Sequence, residues 1–190
     1  QVTEVLDIPE GSLTGDVRLF GMAIQHDILD IEGYRNWTKY ATSRNPDVRI
    51  FIGLPWEWNP DSTTAADYEA SWHAYHPAAV HTLIDQLREE FPYTDFFCIP
   101  YGQAAVELYN LYDDGLLPEI DELVSATESS IFTDSHGHAN SILIALSELV
   151  WLNAIYGVDM LTYAYDPGYI ANLKAIANDI AVGHDPDYNA

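Results

Sequence analysis

The sequence predicts an α/β fold, a three-layer α/β/α domain whose mainly parallel sheet lies between two layers of helices. The first observation is that strand-like apolar runs alternate with helical patterns along the 190 residues. The second is that these runs are continuously apolar, as in strands that are buried on both faces. The third is that 48% of the residues are hydrophobic, enough for one core. We therefore expect a single domain over residues 1–190.

Three runs predict strands, because each is rich in β-branched or aromatic residues and is bounded by polar or turn residues. They are VRLFGMAI at 17–24, VRIFIGLPW at 48–56 and FPYTDFFCIP at 91–100. A weaker candidate, VTEVLDI, precedes them. Three strands are few for such a sheet, which typically has about four to six.

The segments between and after these runs predict helices from their apolar spacing. They are 33–44, a turn-rich and then helical segment at 59–71, a helix that begins at Pro77, 102–115 closed by Gly115, a short helix at 117–126, a long helix from about 139 to 156, and a last helix at about 168–182. Pro77 is expected in the first turn, where its missing N–H costs nothing. Residues 128–138 are expected to form a loop.

The charge balance is strongly acidic, with 30 acidic against 7 basic residues and a formal net charge of −23. So few Lys and Arg residues cannot neutralise phosphates, which argues against nucleic acid and anionic membrane as partners. The acidic residues are scattered along the chain. We interpret them as a solvated coat suited to salty water, where charges are screened over about 10 Å or less.

The chain has one cysteine, Cys98, so it cannot form an internal disulfide. We expect a buried and inert thiol, since no basic residue lies beside it. The compartment stays open between the cytoplasm of a bacterium and a secreted or periplasmic location. No signal-peptide pattern is present, and Gln1 is not an initiator residue, so we expect a processed or partial chain.

The segment TDSHGH at 133–138 places an acid and two histidines just before the predicted long helix. Asp134 or Asn140 can be read as the cap of this helix, since such residues and acids stabilise a helix N-terminus. Asp134, His136 and His138 could instead be metal ligands, although no strong zinc signature is present. A third interpretation is the base end of a catalytic triad, in which a carboxylate holds one imidazole nitrogen.

Two further groups, the histidines near residue 75 and the aromatic residues that follow two predicted strands, have either a structural or a ligand-binding interpretation. The histidines of the 72–81 segment are interpreted as surface or helix-face residues: His73, His76 and His81. Trp56 and Trp58 follow the second predicted strand and could stack on sugar rings, but we expect at least one of them to be buried. Tyr101 follows the third strand, at the edge of the sheet where ligands of α/β proteins bind.

The block IFTDSHGHANSILIALSELVWLNAIYG resembles the last conserved block of the SGNH (GDSL-like) hydrolases, in which an Asp and a His precede the final helix. NPDVRIFIGLPWEW and FPYTDFFCIPYGQAAVEL are similar to two earlier units of that family. The resemblance implies a flavodoxin-like sheet, a serine nucleophile and no cofactor. It also implies His138 as general base and Asp134 as its orienting carboxylate, with His136 as the rival for either role.

The sequence departs from the family pattern at several positions. The Asp134-x-x-x-His138 spacing is one residue longer than usual, and Ala139 stands where the family often has Pro. The Gly-Asp-Ser block of the nucleophile is absent, and Gly11-Ser12-Leu13 is a poor substitute because no apolar run precedes it. Where the family has Gly-x-Asn-Asp, the chain has Gln25-His26-Asp27, and Gln25 could donate to an oxyanion.

These considerations lead to an expected SGNH-like esterase that acts on a small-molecule or carbohydrate ester through His138, Asp134, Gln25, Trp56, Trp58 and Tyr101. Because the nucleophile block is missing, we expect little or no activity from the chain alone. Alternatives are a catalytically inactive domain that binds sugars or a protein through the Trp56–Trp58 loop, and a metal-dependent protein. A missing first strand would bare a sheet edge, so we also expect a homodimer or a shifted N-terminal segment.

Overall fold

The computed structural model describes residues 17–24 and 31–190, and within them the predicted parallel sheet is present. Its strands are β1 (Leu19–Ala23), β2 (Arg49–Gly53) and β3 (Phe96–Ile99), in the order β1-β2-β3. Both pairings are parallel, with Met22 opposite Ile52 and Ile52 opposite Cys98. The weak candidate VTEVLDI and the tripeptide Gln25-His26-Asp27 lie outside the described residues.

A second, two-stranded parallel sheet contradicts the expected secondary structure of residues 117–138. It consists of β4 (Glu122–Val124) and β5 (Ser130–Phe132), where a short helix and a loop were predicted. Each strand has three residues, too few to show a period of two. The buried Ser130 hydroxyl, at the start of β5, lies 2.7 Å from the backbone carbonyl oxygen of Ser125, which directly follows β4.

Five helices are described, in chain order α1 (Ile31–Arg44), α2 (Ala65–Glu90), α3 (Gln103–Asp113), α4 (Ser141–Tyr156) and α5 (Leu173–Gly183). Short 3₁₀ turns occupy Pro60–Ser62 and Pro186–Tyr188. The predicted boundaries of α1, α3, α4 and α5 are confirmed to within a few residues. Asn140 caps α4 by accepting from the Ser141 amide at 2.8 Å, and Gly157 ends that helix at φ +61°.

Pro77 lies inside α2, although the sequence predicted that a helix would begin there. The helix continues through the proline because one face is buried on both sides of it, at Trp72 and His76 before and at Val80 and Leu83 after. Burial of that face outweighs the lost backbone hydrogen bond, which usually limits proline to the first turn.

Helices pack around the parallel sheet, which confirms the mixed α/β, three-layer α/β/α architecture. All four residues of β3 are buried, as the continuously apolar run indicated. Within the described ranges, no helix has the length and apolar character that a membrane span requires.

The carboxyl ends of β2 and β3 meet closely and form the edge on which the candidate site is built. The Gly102 amide donates to the Leu54 carbonyl at 2.8 Å. A Cβ atom at Gly102 would lie 2.1 Å from the Pro55 carbonyl oxygen, so only glycine allows this approach. The segment that follows β2 is thereby fixed against the start of α3.

Candidate active site

The segment 133–138 forms a closed turn between β5 and α4. The Thr133 amide donates to the His138 carbonyl at 2.8 Å, and the Gly137 amide donates to the Asp134 carbonyl at 3.1 Å. Gly137 has φ +87°, a left-handed conformation that favours glycine. The turn thus places Asp134 and His138 on the same side.

Asp134 and His138 form a direct hydrogen bond, with 2.7 Å between Asp134 Oδ2 and His138 Nδ1. The other carboxylate oxygen, Oδ1, accepts from the backbone amides of His136 at 3.0 Å and His138 at 3.3 Å. The His138 bond, aided by these two amides, lowers the pKa of the Asp134 carboxyl below its ordinary value. The carboxylate is therefore held in one orientation by groups of its own loop.

His136 is not part of this pair. Its ring centroid lies 6.3 Å from that of His138, and among the described residues its side chain makes no hydrogen bond to Asp134. The geometry favours His138 over His136 as the histidine that the carboxylate orients.

The far side of the His138 ring is open to solvent, since 75% of its side-chain surface is exposed. Within residues 17–24 and 31–190, no serine hydroxyl is hydrogen-bonded to His138. The described part of the chain therefore contains an oriented histidine to which no serine hydroxyl is hydrogen-bonded.

Trp56 connects this turn to the end of β2. Its indole N–H donates to the Gly137 carbonyl at 2.8 Å. A Cβ atom at Gly137 would lie 3.4 Å from the Glu57 carbonyl oxygen, so the turn and the 55–60 segment are in contact. The segment is anchored from α2, where Trp72 Nε1 donates to the Pro55 carbonyl at 2.8 Å and the Tyr68 hydroxyl to the Glu57 carbonyl at 2.9 Å.

The Glu57 side chain belongs to a second histidine–carboxylate pair, beneath the same segment. Its Oε2 lies 3.0 Å from His76 Nε2, and its Oε1 accepts from the Ser71 hydroxyl at 2.9 Å. His76 is buried, with 1% of its surface exposed, so of the two interpretations, a surface residue or a helix-face residue, only the second is confirmed. The reason is that His76 shares the buried face of α2 with Trp72.

An open groove of about 500 Å³ lies beside Trp56. It is lined mainly by aromatic and aliphatic side chains: Trp56, Tyr101, Ile144, Ser147, Glu148, Trp151, Leu152, Ile155 and Tyr156. The rings of Trp56 and Tyr101 are in edge-to-face contact, with 5.5 Å between their centroids. The ring centroids of Tyr101 and Trp151 are 5.6 Å apart. Burial raises the pKa of the Tyr101 hydroxyl.

The predicted substrate-binding residues are thus brought together only in part. Trp56 and Tyr101 share the groove, whereas Trp58 is 52% exposed and is not among its lining residues. The expectation that at least one of the two tryptophans is buried is wrong: Trp56 is half-buried beside the groove, and Trp58 is exposed. Gln25 lies outside the described residues.

The outer face of α4 is the part of the groove that sequence reasoning did not find. Ile144 and Tyr156 are 48% and 74% exposed. A signal was available in SILIALSELVWLNAIY, which is apolar around its whole circumference and so exceeds what one buried face requires. Such a helix predicts either complete burial or an exposed apolar stripe, and only the packing decides between them.

The metal interpretation of 133–138 finds no converging donor set at that turn. Within the described residues, the side chains whose donor atoms lie within 4.8 Å of one another are His81, Cys98 and His184. These residues lie on α2, on β3 and just after α5.

Comparisons with known proteins add no family assignment. No protein-family model matches the chain, and neither a curated protein nor a solved structure is significantly similar to it. The resemblance to SGNH hydrolases rests on the sequence blocks and stays a hypothesis.

Proposed function

We propose that this chain is an SGNH-like hydrolase domain that acts on small acyl esters, including those of carbohydrates. His138 is the general base and Asp134 is the carboxylate that orients it. The observation that carries the proposal is the 2.7 Å bond between Asp134 Oδ2 and His138 Nδ1, with Asp134 Oδ1 held by two backbone amides.

The chemistry follows from which nitrogen carries the proton. Because the Asp134 carboxylate accepts, His138 Nδ1 is the donor, and the lone pair of the neutral ring is then on Nε2. Nε2 can take a proton from an attacking hydroxyl group and return it to the departing alcohol. The exposure of the ring leaves this nitrogen accessible to substrate.

The attacking group is not assigned by the described residues. Ser12 is the one serine among residues 1–16 and 25–30, the part of the chain outside the described ranges. A water molecule activated by His138 is the alternative attacker. The proposal therefore assigns the base and its orienting carboxylate and leaves the nucleophile to experiment.

The groove beside Trp56 supports small, largely apolar groups as substrates. Binding sites for small molecules are usually concave and mostly apolar, with a few polar groups that orient the ligand. Trp56 lines the groove and also bonds to Gly137, the residue before His138. An acyl group or a sugar face held against Trp56 would therefore be next to the turn that carries the base.

The test is hydrolysis of p-nitrophenyl acetate by the purified chain and four variants. We expect a slow rate, several orders of magnitude below that of an enzyme with a complete triad. This rate should fall to the buffer background in His138→Ala and fall strongly in Asp134→Asn, while His136→Ala retains it as the matched control.

Three outcomes are informative. A rate that His138→Ala leaves unchanged would refute the assignment of the base. Fast hydrolysis that both His138→Ala and Ser12→Ala abolish would identify Ser12 as the nucleophile and overturn the expected low activity. Slow hydrolysis that depends on His138 but not on Ser12 would favour water.

A second candidate function is binding without catalysis, favoured by the exposure of Trp58 and the aromatic groove. Titration of acetylated and unmodified oligosaccharides, followed by tryptophan fluorescence, would test it. Binding that Trp58→Ala or Trp151→Ala weakens, in a protein with no hydrolysis dependent on His138, would favour this function over the esterase.

A further inference from the structure

A cluster of three potential metal ligands lies outside the candidate active site. A ring nitrogen of His81, a ring nitrogen of His184 and the sulfur of Cys98 all lie within 4.8 Å of one another. His81 is on α2, Cys98 is on β3 and His184 directly follows α5. Neither the Asp134–His138 pair nor the groove beside Trp56 uses any of these side chains.

Two nitrogen atoms of the cluster are buried without a partner. Nε2 of His81 and Nε2 of His184 have no hydrogen-bond partner among the described residues. Buried polar atoms in folded proteins are nearly always satisfied, so each exception calls for an explanation such as a bound ion. Two histidines with such nitrogens, in one cluster with a thiol, point to a shared ligand.

The surroundings hold both rings in orientations suited to metal binding. His184 Nδ1 lies 2.6 Å from the side-chain oxygen of Asn189. An amide oxygen accepts, so Nδ1 carries the proton and Nε2 has the lone pair, the arrangement of metal-bound histidines with an outer partner. The His81 ring stacks on Tyr188 at 3.7 Å between centroids, with 4° between the planes.

Burial acts on all three side chains of the cluster. Burial, together with the neighbouring His184, lowers the pKa of His81, and burial lowers the pKa of His184. Burial raises the pKa of the Cys98 thiol. Zinc binds imidazole in its neutral form and cysteine as the thiolate. A bound divalent cation would ionise the Cys98 thiol and release one proton to solvent.

We propose that His81, Cys98 and His184 form a binding site for Zn²⁺. Ligand atoms on a tetrahedral zinc are about 3.3–3.6 Å apart, given Zn–N and Zn–S bonds of about 2.0 and 2.3 Å. The observed limit of 4.8 Å is wider than this spacing, so metal binding requires side-chain rotations that bring the three ligand atoms closer together. Thiolate and imidazole ligands select zinc over Mg²⁺ or Ca²⁺, which prefer oxygen.

A fourth ligand can come from the adjoining cavity. His81 and His184 line a cavity of about 270 Å³, together with Asp179 and Asp185. Zinc sites with three protein ligands complete their coordination with water. The two carboxylates also place negative charge near a cation that binds there.

The experiment uses Co²⁺ as a spectroscopic substitute for Zn²⁺ in the purified full chain. We expect a near-ultraviolet charge-transfer band from thiolate to cobalt that saturates at one equivalent and disappears when Zn²⁺ is added. Since Cys98 is the only cysteine, the band reports on this site alone. Cys98→Ser should abolish it.

The Co²⁺ affinities of single variants show which side chains bind the metal. Asn189→Ala removes an outer partner and should weaken binding by about 10- to 100-fold. His184→Ala and His81→Ala remove ligands and should weaken it by more than about 100-fold. His136→Ala and His138→Ala are the matched controls, because they alter the other histidine cluster, and they should leave the band unchanged.

Circular dichroism establishes that each variant is folded. If His81→Ala or Cys98→Ser does not fold, His184→Ala and Asn189→Ala still test the site, because these residues lie after the last α-helix. A folded wild-type protein without the thiolate–cobalt band would overturn the proposal, and so would a band that His184→Ala does not change. Ester hydrolysis is not measured, so this result is independent of the proposed function.

Discussion

The molecule contains two histidine–carboxylate pairs with similar bond lengths and opposite exposure. His138 Nδ1 and Asp134 Oδ2 are 2.7 Å apart, and 75% and 44% of the two side-chain surfaces are exposed. His76 and Glu57 are 3.0 Å apart, with 0% and 13% exposed. Trp56 and Gly137 connect the two loops that carry the carboxylates.

The difference in exposure predicts different contributions of the two pairs to stability. Loss of one partner from a buried pair removes a charge-assisted hydrogen bond from the other in a medium of low dielectric constant, which is costly. Glu57 and His76 therefore fasten the segment after β2 to α2. An exposed pair contributes little to stability. The bonds that hold Asp134 and orient His138 are therefore expected to add little to the free energy of unfolding, and their role in our proposal is to orient a general base.

The largest effect on stability is expected from His76→Ala. The substitution removes the His76 partner of the Glu57 carboxylate and leaves a cavity beside the buried face of α2. We expect the free energy of unfolding to fall by about 3 kcal/mol. Urea denaturation measures it. His73→Ala is the matched control, since the His73 side chain is half exposed on the same helix. Equal losses in the two variants would contradict a structural role for the buried pair.

Gly137→Ala should have the next largest effect. At φ +87° a Cβ atom strains the backbone, at a cost of about 1–2 kcal/mol. Gly168→Ala is the control, because its φ of +83° is similar but no atom lies within 4 Å of its Cβ position. Both variants should lose stability in urea denaturation, but only Gly137→Ala should also change the fluorescence of Trp56. Equal spectra would argue that the turn and the 55–60 segment are not coupled.

His138→Ala should leave the midpoint of unfolding unchanged within error, because its side chain is largely exposed and its bond to Asp134 is a surface interaction. Thermal unfolding of this variant beside His76→Ala makes the comparison between the two pairs direct. A loss as large as that of His76→Ala would show that the exposed pair is structural after all.

The smallest effect is a pH dependence of the exposed pair. The bond from His138 lowers the pKa of Asp134 below its ordinary value of 3.8. The interaction is therefore complete above pH 3.8 and is lost as the pH falls through the lowered pKa. The amide chemical shifts of His136 and His138, which donate to Asp134, should titrate with a midpoint below 3.8.

His138→Ala supplies the control for that titration. Without the imidazole, the midpoint for the amide of His136 should rise toward 3.8, since the His138 side chain is the largest cause of the shift. An unchanged midpoint would mean that the backbone amides, rather than His138, set the pKa of Asp134.

Sequence reasoning succeeded where a signal was long and local. The apolar runs predicted β1, β2 and β3, and the apolar helix after His138 predicted α4. It failed for β4 and β5, because strands of three residues show no period. It also failed at Pro77, where burial of one face of α2 outweighed the local preference of proline.

The same distinction between local and non-local signals applies to the candidate functional residues. Asp134 and His138 are four residues apart, so the sequence could pair them through one tight turn with a glycine. Glu57 and His76 are 19 residues apart, and His81, Cys98 and His184 are spread over more than half the chain. No spacing rule relates residues on different elements, so these groups were found only in three dimensions.

By itself, the sequence determined the α/β architecture, the acidic surface and an acid–histidine turn before a long helix, because periodicity, charge and local spacing are properties of adjacent residues. Only the tertiary structure decided that His138 rather than His136 pairs with Asp134, that Trp56 lies against that turn, and that two buried imidazoles meet the one thiol. The physical reason is that these contacts depend on how strands and helices pack, and packing brings together residues whose separation along the chain carries no information about their distance in space.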